Sequence, residues 1–446
     1  MNLWRTDVLV VGVGLILAVV RWAPPATNGR PALAVDQLTY ILSGSHLKWF
    51  EPGERTQATD SGEYAARNVV PSRFAMRYDG LIFVAMPKLK PGVMFTLGVV
   101  EYEPCLSTIE PPIAPYPCAA AHRKQGTGNG WTMVNVVDVY MDEAGRLWAL
   151  DVGKINLLGK TSVVRPPMVF AIDTGVDEFI HAIDLSRATT EASCLQSIIV
   201  DSSTSGETFL YIADAGQAAV IVYNVHCDRS FKVHVPVGPC GRQDILYMAL
   251  TSVNEYILNG GHDPYGLGTG RDDNDFQRRL YVTYLSSCQM LYVPVYELDE
   301  IDVTYSLSAV GIGRKPCKMI LLGTDRSSVI YFRPGETNDI WSWDTSTPFH
   351  EDNFKFVQYG RTTRVPLMVN IGFRGYQWYM ESNFIDFLLD DIGCLGVSTK
   401  IQPLQIVSDE LECRPALPLD NGPNCSTDDA FVCLKNLIPF EHAILY

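Results

Sequence analysis

Short apolar runs broken by turn residues recur along this chain, and they come in pairs. The clearest pair is Val136-Val137-Asp138-Val139-Tyr140-Met141, a turn at Asp142-Glu143-Ala144-Gly145, then Leu147-Trp148-Ala149-Leu150-Asp151. Runs this short, rich in β-branched and aromatic residues and separated by Gly/Asp turns, predict β-hairpins. Comparable pairs follow from Ile198 to Asp214, Ile245 to Tyr284 (across a long insertion), Met319 to Phe332 and Leu367 to Met380, and one precedes from Phe74 to Val84. Copies thus begin near residues 74, 136, 198, 245, 318 and 367, most with a third strand behind them, such as Met168–Ile172 or Val220–Tyr223. Each small sheet must cover its faces against neighbours, so a repeated unit of this size predicts a ring. The fold class expected is all-β, a six-bladed β-propeller of four-stranded antiparallel blades. A stacked β-sandwich would not explain repeated copies of one unit. The ring should occupy 35–408, with the segment before the first copy supplying a strand that closes the last blade.

The ends differ in pattern. Arg5 precedes an apolar run from Val8 to Val20, and Arg21 closes it. As a helix, that run spans about 20 Å, short of the roughly 30 Å hydrocarbon core. Residues 1–34 therefore read as a signal peptide or signal anchor, with Ala32-Leu33-Ala34 in the small-x-small form of a cleavage site. Gly12-Val13-Gly14 lacks the third glycine and the amphipathic helix of a dinucleotide loop. Residues 409–446 form a Cys/Pro-rich tail, in which Asn424-Cys425-Ser426 is a glycosylation sequon.

Composition fits a secreted, globular chain. Hydrophobic residues make up 47% and charged residues 19%, enough for a core. A net charge of −15 argues against nucleic acid, or an anionic membrane after signal processing, as partner; it suits a cationic ligand such as a protonated amine. Eleven cysteines without a CxxC pair fit an oxidising compartment and leave an odd thiol. Cys105 with Cys118, and Cys227 with Cys240, are near enough in sequence to staple single loops, although sequence does not fix the pairing.

The motifs resemble those of the yellow / major royal jelly protein family of insects and other arthropods. Gly145-Arg146-Leu147-Trp148-Ala149-Leu150-Asp151-Val152-Gly153 is similar to the family's NRLWVLDTG, the most specific match. Ser61-Gly62-Glu63-Tyr64, the Gly80–Val93 region, Arg165-Pro166-Pro167, Tyr211-Ile212-Ala213-Asp214, Ile221-Val222-Tyr223 and Asn338–Asp344 with Asn353-Phe354 resemble further family segments. Departures mark a divergent member: Arg165 stands where the family has cysteine before its paired prolines, and Ser342 replaces the cysteine of its CWN.

The resemblance implies a secreted propeller that captures a small aromatic ligand, a biogenic amine or a catechol-like compound, in pigmentation or cuticle chemistry. The alternative it implies is a dopachrome-converting isomerase; a storage role would call for an amide-rich tail that is absent. If loops after Pro87, Asp151, Asp214, Tyr284, Phe332 and Met380 ring one mouth of the channel, the candidate ligand residues are Asn338, Asp214, Asp151 and Asp339, with Lys154 and Glu336 nearby. Carboxylates would pair with an ammonium and an amide would hydrogen-bond a ring hydroxyl. Asn338 also matches a family position associated with the pocket of amine-binding relatives. Asp before Gly at a strand end is equally ordinary turn chemistry. The 254–276 insertion would lie away from that mouth, and its Asp272-Asp273-Asn274-Asp275 cluster lacks calcium-loop spacing. No metal or cofactor is expected: the eight histidines show neither HxH nor HExxH, and there is no GxSxG elbow. An isomerase would need an acid/base pair, which the sequence does not name.

Overall fold

The computed structural model describes residues 38–100, 108–123, 131–202, 206–238, 241, 243–254, 276–295, 307–361 and 363–405. The leader at 1–34, the tail at 409–446 with its Asn424 sequon, and the acidic cluster of the insertion lie outside them. Residues 38–405 contain six small antiparallel sheets, each with four strands in meander order. Their innermost strands are Arg73–Met76, Val136–Met141, Leu195–Ser202, Leu246–Asn254, Met319–Thr324 and Val365–Ile371. These strands pack against one another in cyclic order, the last against the first, so the sheets are the blades of a six-bladed propeller. They are numbered here 1 to 6 in that order. Thr39–Ser43, the first of the described strands, runs antiparallel to Ser398–Pro403 and completes blade 6, with Tyr40 opposite Ile401. Two-residue strands at Thr108–Ile109 and Leu307–Ser308 add parallel edges to blades 6 and 3.

Burial explains the sequence pattern. Second strands such as Thr208–Asp214 and Ile82–Ala85 are buried at every position, because both faces meet neighbouring blades. They therefore read as unbroken apolar runs. Outer strands such as Glu178–Asp184 and Arg229–His234 meet solvent and carry charge. The hydrophobic clusters lie between blades: Phe83, Leu97, Val139, Leu147 and Phe170 join blades 1 and 2, and Tyr211, Val222, Leu280 and Leu291 join blades 3 and 4. Large aromatics bridge these seams, as where Tyr281 meets Trp343 edge-on at 5.2 Å between blades 4 and 5.

The innermost strands are not regular. Their pairing with the second strands slips between Val136 and Asp138, Leu195 and Ile198, Leu321 and Gly323, and Pro366 and Met368. Such bulges turn side chains away from the pleat. At the third slip Gly323 has φ +148°, and a Cβ there would sit 2.0 Å from the Val369 carbonyl oxygen. Blades 5 and 6 approach this closely only because position 323 has no side chain.

Candidate functional site

The innermost strands enclose an axial cavity of about 210 Å³. Its wall mixes apolar groups (Val139, Ile198, Met248, Leu321, Met368) with a set of polar and charged ones. Arg73, Asp138 and Gln196 are its buried part, at 9%, 5% and 3% exposure. Its open end carries Glu143, Ser202, Ser252, Arg278, Thr324 and Arg326, at the ends of the innermost strands, in the first-hairpin turns and, for Arg278, near the start of a second strand. Ser252 and Arg278 stand just inside the 254–276 insertion. The insertion therefore springs from this rim, on the first-hairpin side of the ring and away from the second-strand ends Asp151 and Asp214. The reason is geometric: the innermost strands border the axis, so the turns that end them ring it.

Asp138 is the chemically distinctive group. One carboxylate oxygen accepts from the Val139 N–H and the other from the Ile198 N–H of blade 3, both at 2.9 Å. The Arg73 guanidinium of blade 1 stands 3.7 Å away. Burial disfavours the charged form and outweighs these three contacts, so the carboxyl is pushed up to about 6. Nearer the rim, Asp201 is raised by burial and drawn back by Arg278, whose Nη1 lies 2.7 Å from it. Arg326 crosses the axis from blade 5 to blade 2, where its Nη2 donates to the Met141 carbonyl at 2.6 Å. Its guanidinium lies over the Tyr140 ring, 5.3 Å from the centroid.

None of the four candidate ligand residues Asn338, Asp214, Asp151 and Asp339 lines this cavity. Asp151 and Asp214 are wholly buried and do one job in successive blades. Asp151 accepts from the Val134, Asn135 and Gly153 N–H groups and from Arg165, 2.7 Å away. Asp214 accepts from the Ser193 hydroxyl and the Cys194 and Gln217 N–H groups. Each ties the end of a second strand to the segment entering its own innermost strand. Glycine follows two residues later because a Cβ at Gly153 or Gly216 would sit 2.1 or 1.9 Å from a carbonyl oxygen. Arg165, the departure from the family's cysteine, supplies the cation of this tie. Asn338 donates to the Arg361 carbonyl and Asp339 accepts from the Gly360 N–H, so these two hold the loop into blade 6. Lys154 donates to the Ser193 carbonyl and Glu336 is exposed. Among the described residues Cys118 and Cys227 form no disulfide; Cys105 and Cys240 lie outside the described residues. Among the described residues, no cluster of three His, Cys, Asp or Glu is placed to hold a metal, and no helix is long and apolar enough to cross a membrane.

The chain is thus a six-bladed β-propeller whose innermost strands surround a small, charged axial cavity. The family profile for major royal jelly proteins matches residues 134–411, more than half of the chain, and the chain belongs to that family. It is 24% identical to the Drosophila melanogaster dopaminechrome tautomerase over 86% of this chain and 84% of that protein. It is 21% identical to the L-dopachrome tautomerase yellow-f of the same fly, over 74% and 78% of the two chains. Protein yellow of Drosophila melanogaster is 27% identical over 86% of this chain and 72% of its own length.

Proposed function

We propose that this chain is a secreted protein of pigment or cuticle chemistry that takes a small catechol-derived ring into the axial cavity and isomerises it by proton transfer. One observation carries the reading: a buried carboxylate lines the cavity with its proton affinity raised into the near-neutral range, where a general base works best. An aminochrome isomerises by losing a proton from a saturated ring carbon and gaining one at a quinone oxygen. Atoms and electrons balance within the substrate, so no oxidant is consumed. In this reading Asp138 takes the carbon-bound proton and the Arg73 guanidinium beside it steadies the negative charge that develops on the ring oxygens. The tautomerases among the similar proteins support this substrate class, as does a cavity sized for a small ring system.

Capture of a biogenic amine or catechol without turnover is the second reading. It is favoured by the two backbone N–H groups already seated on Asp138, which compete with any proton it would accept. The expected mouth set of Asn338, Asp214, Asp151 and Asp339 enters either reading through the loops it fixes. Loss of chrome absorbance with dopaminechrome and L-dopachrome, beside calorimetry with dopamine, serotonin and octopamine, separates the two. Substrate-dependent decay that Asp138→Asn abolishes while ligand still binds supports proton transfer. Decay indifferent to Asp138→Asn refutes the assignment, and binding without decay leaves capture.

A further inference from the structure

Of the three arginines on the cavity wall, two are matched by carboxylates. Arg73 faces Asp138 at 3.7 Å and Arg278 faces Asp201 at 2.7 Å. Among the described residues no carboxylate pairs with Arg326. Among the described residues its one side-chain hydrogen bond runs from Nη2 to the Met141 carbonyl, and its buried Nε meets no acceptor. A guanidinium held over an aromatic face with donors unspent is a partner for a planar anion. Its backbone is also committed to this placement: Arg326 has φ +60°, in the left-handed region that ordinary side chains avoid, and its N–H is tied to the Thr324 hydroxyl at 3.2 Å. The bond to Met141 holds the side chain across the axis.

We propose that Arg326 binds a carboxylate on the ligand, so that the chain selects carboxylate-bearing catechol derivatives over their decarboxylated counterparts. The inference rests on the axial cavity being the ligand site. The spacing supports it. The Arg326 guanidinium sits at Met141 and the Asp138 carboxylate beside its own backbone, three residues along one strand, about 10 Å. That is the span of a ring carbon and an adjoining carboxylate with one hydrogen bond at each end. The chain's overall charge of −15 repels an anion, so the selection is local and depends on this one cation.

The test compares L-dopa with dopamine, which differ by one carboxylate, in calorimetric titrations of the full chain, alongside turnover of L-dopachrome and dopaminechrome. The wild type is expected to bind L-dopa at least tenfold more tightly, Arg326→Gln to cut that ratio at least tenfold, and Arg326→Lys to keep most of it. Equal or better binding of dopamine by the wild type overturns the inference without recourse to any variant, as does failure of L-dopa to bind. A ratio that Arg326→Gln leaves within twofold, or a fall for both ligands alike, overturns it too. If Arg326 sets the ratio while neither chrome is turned over, the proton-transfer reading falls and this one stands. If both chromes are turned over with equal kcat/KM and Arg326→Gln alters neither, this one falls and proton transfer stands.

Discussion

Replacing Asp138 by asparagine tests whether the axial carboxylate carries its charge at a cost. The group rises from an ordinary 3.8 to about 6 on folding, so the folded chain holds a proton there that the unfolded chain has released. Between those values the native state binds more protons, and stability falls as pH rises. Two pH units at 1.36 kcal/mol each give about 3 kcal/mol, present in full below pH 3.8 and lost above pH 6. Asparagine does not titrate, so its stability lacks this component. It also has one acceptor oxygen where Asp138 serves two N–H groups, which costs roughly 1–3 kcal/mol at every pH. Absolute stability at neutral pH is therefore a poor readout, and the difference in slope is a good one. Urea unfolding of both proteins at half-unit steps from pH 4 to 7 should show the variant gaining about 2 kcal/mol on the wild type across that range. Chrome decay by the wild type should fall about tenfold per pH unit below 6, and the variant should be slower by roughly 10²–10⁴ at pH 7. Parallel stability curves for the two proteins would refute the buried-charge reasoning, whatever the activity does.

Other substitutions probe the scaffold. Gly323→Ala drives a Cβ into the Val369 carbonyl and should lower stability by about 2–4 kcal/mol, seen as a shifted urea midpoint at constant slope. Asp151→Ala strands the Arg165 guanidinium and three buried N–H groups; a loss of about 3–5 kcal/mol is expected in thermal unfolding. Tyr40→Ala empties a site at 1% exposure beside Trp378, 6.1 Å between ring centroids, and should cost about 3–5 kcal/mol. Its signature is early amide exchange in blade 6, and uniform exchange around the ring would contradict it.

The blades were legible because burial on both faces writes continuous apolar runs, and tight turns write Gly and Asp between them. The cavity was not. Asp138 sits inside the clearest run of all, Val136–Met141, where it reads as one polar residue in a strand. Only the bulge beside it and the approach of Arg73 and Ile198 from neighbouring blades give it a role, and neither is local in sequence. A charge interrupting an otherwise buried strand was the available signal. Asp151 and Asp214 drew notice for the opposite reason: Asp-x-Gly at a strand end is conspicuous, and in both places it is backbone carpentry. Arg326 stood in a turn with no mark beyond its charge, because its reach spans the axis to a blade made nearly two hundred residues earlier, |i−j| = 185.

The pairing of Tyr40 with Ile401 has a consequence for synthesis. A ribosome delivers Thr39–Ser43 before any blade is made, yet the strand that receives it, Ser398–Pro403, follows the inner strands of all six. For most of translation the nascent chain is an open arc with an unmatched edge at each end, the kind of surface that recruits other chains. Thr39–Ser43 waits for Ser398–Pro403 through the synthesis of the whole ring, and factors that shield nascent chains have a long task here.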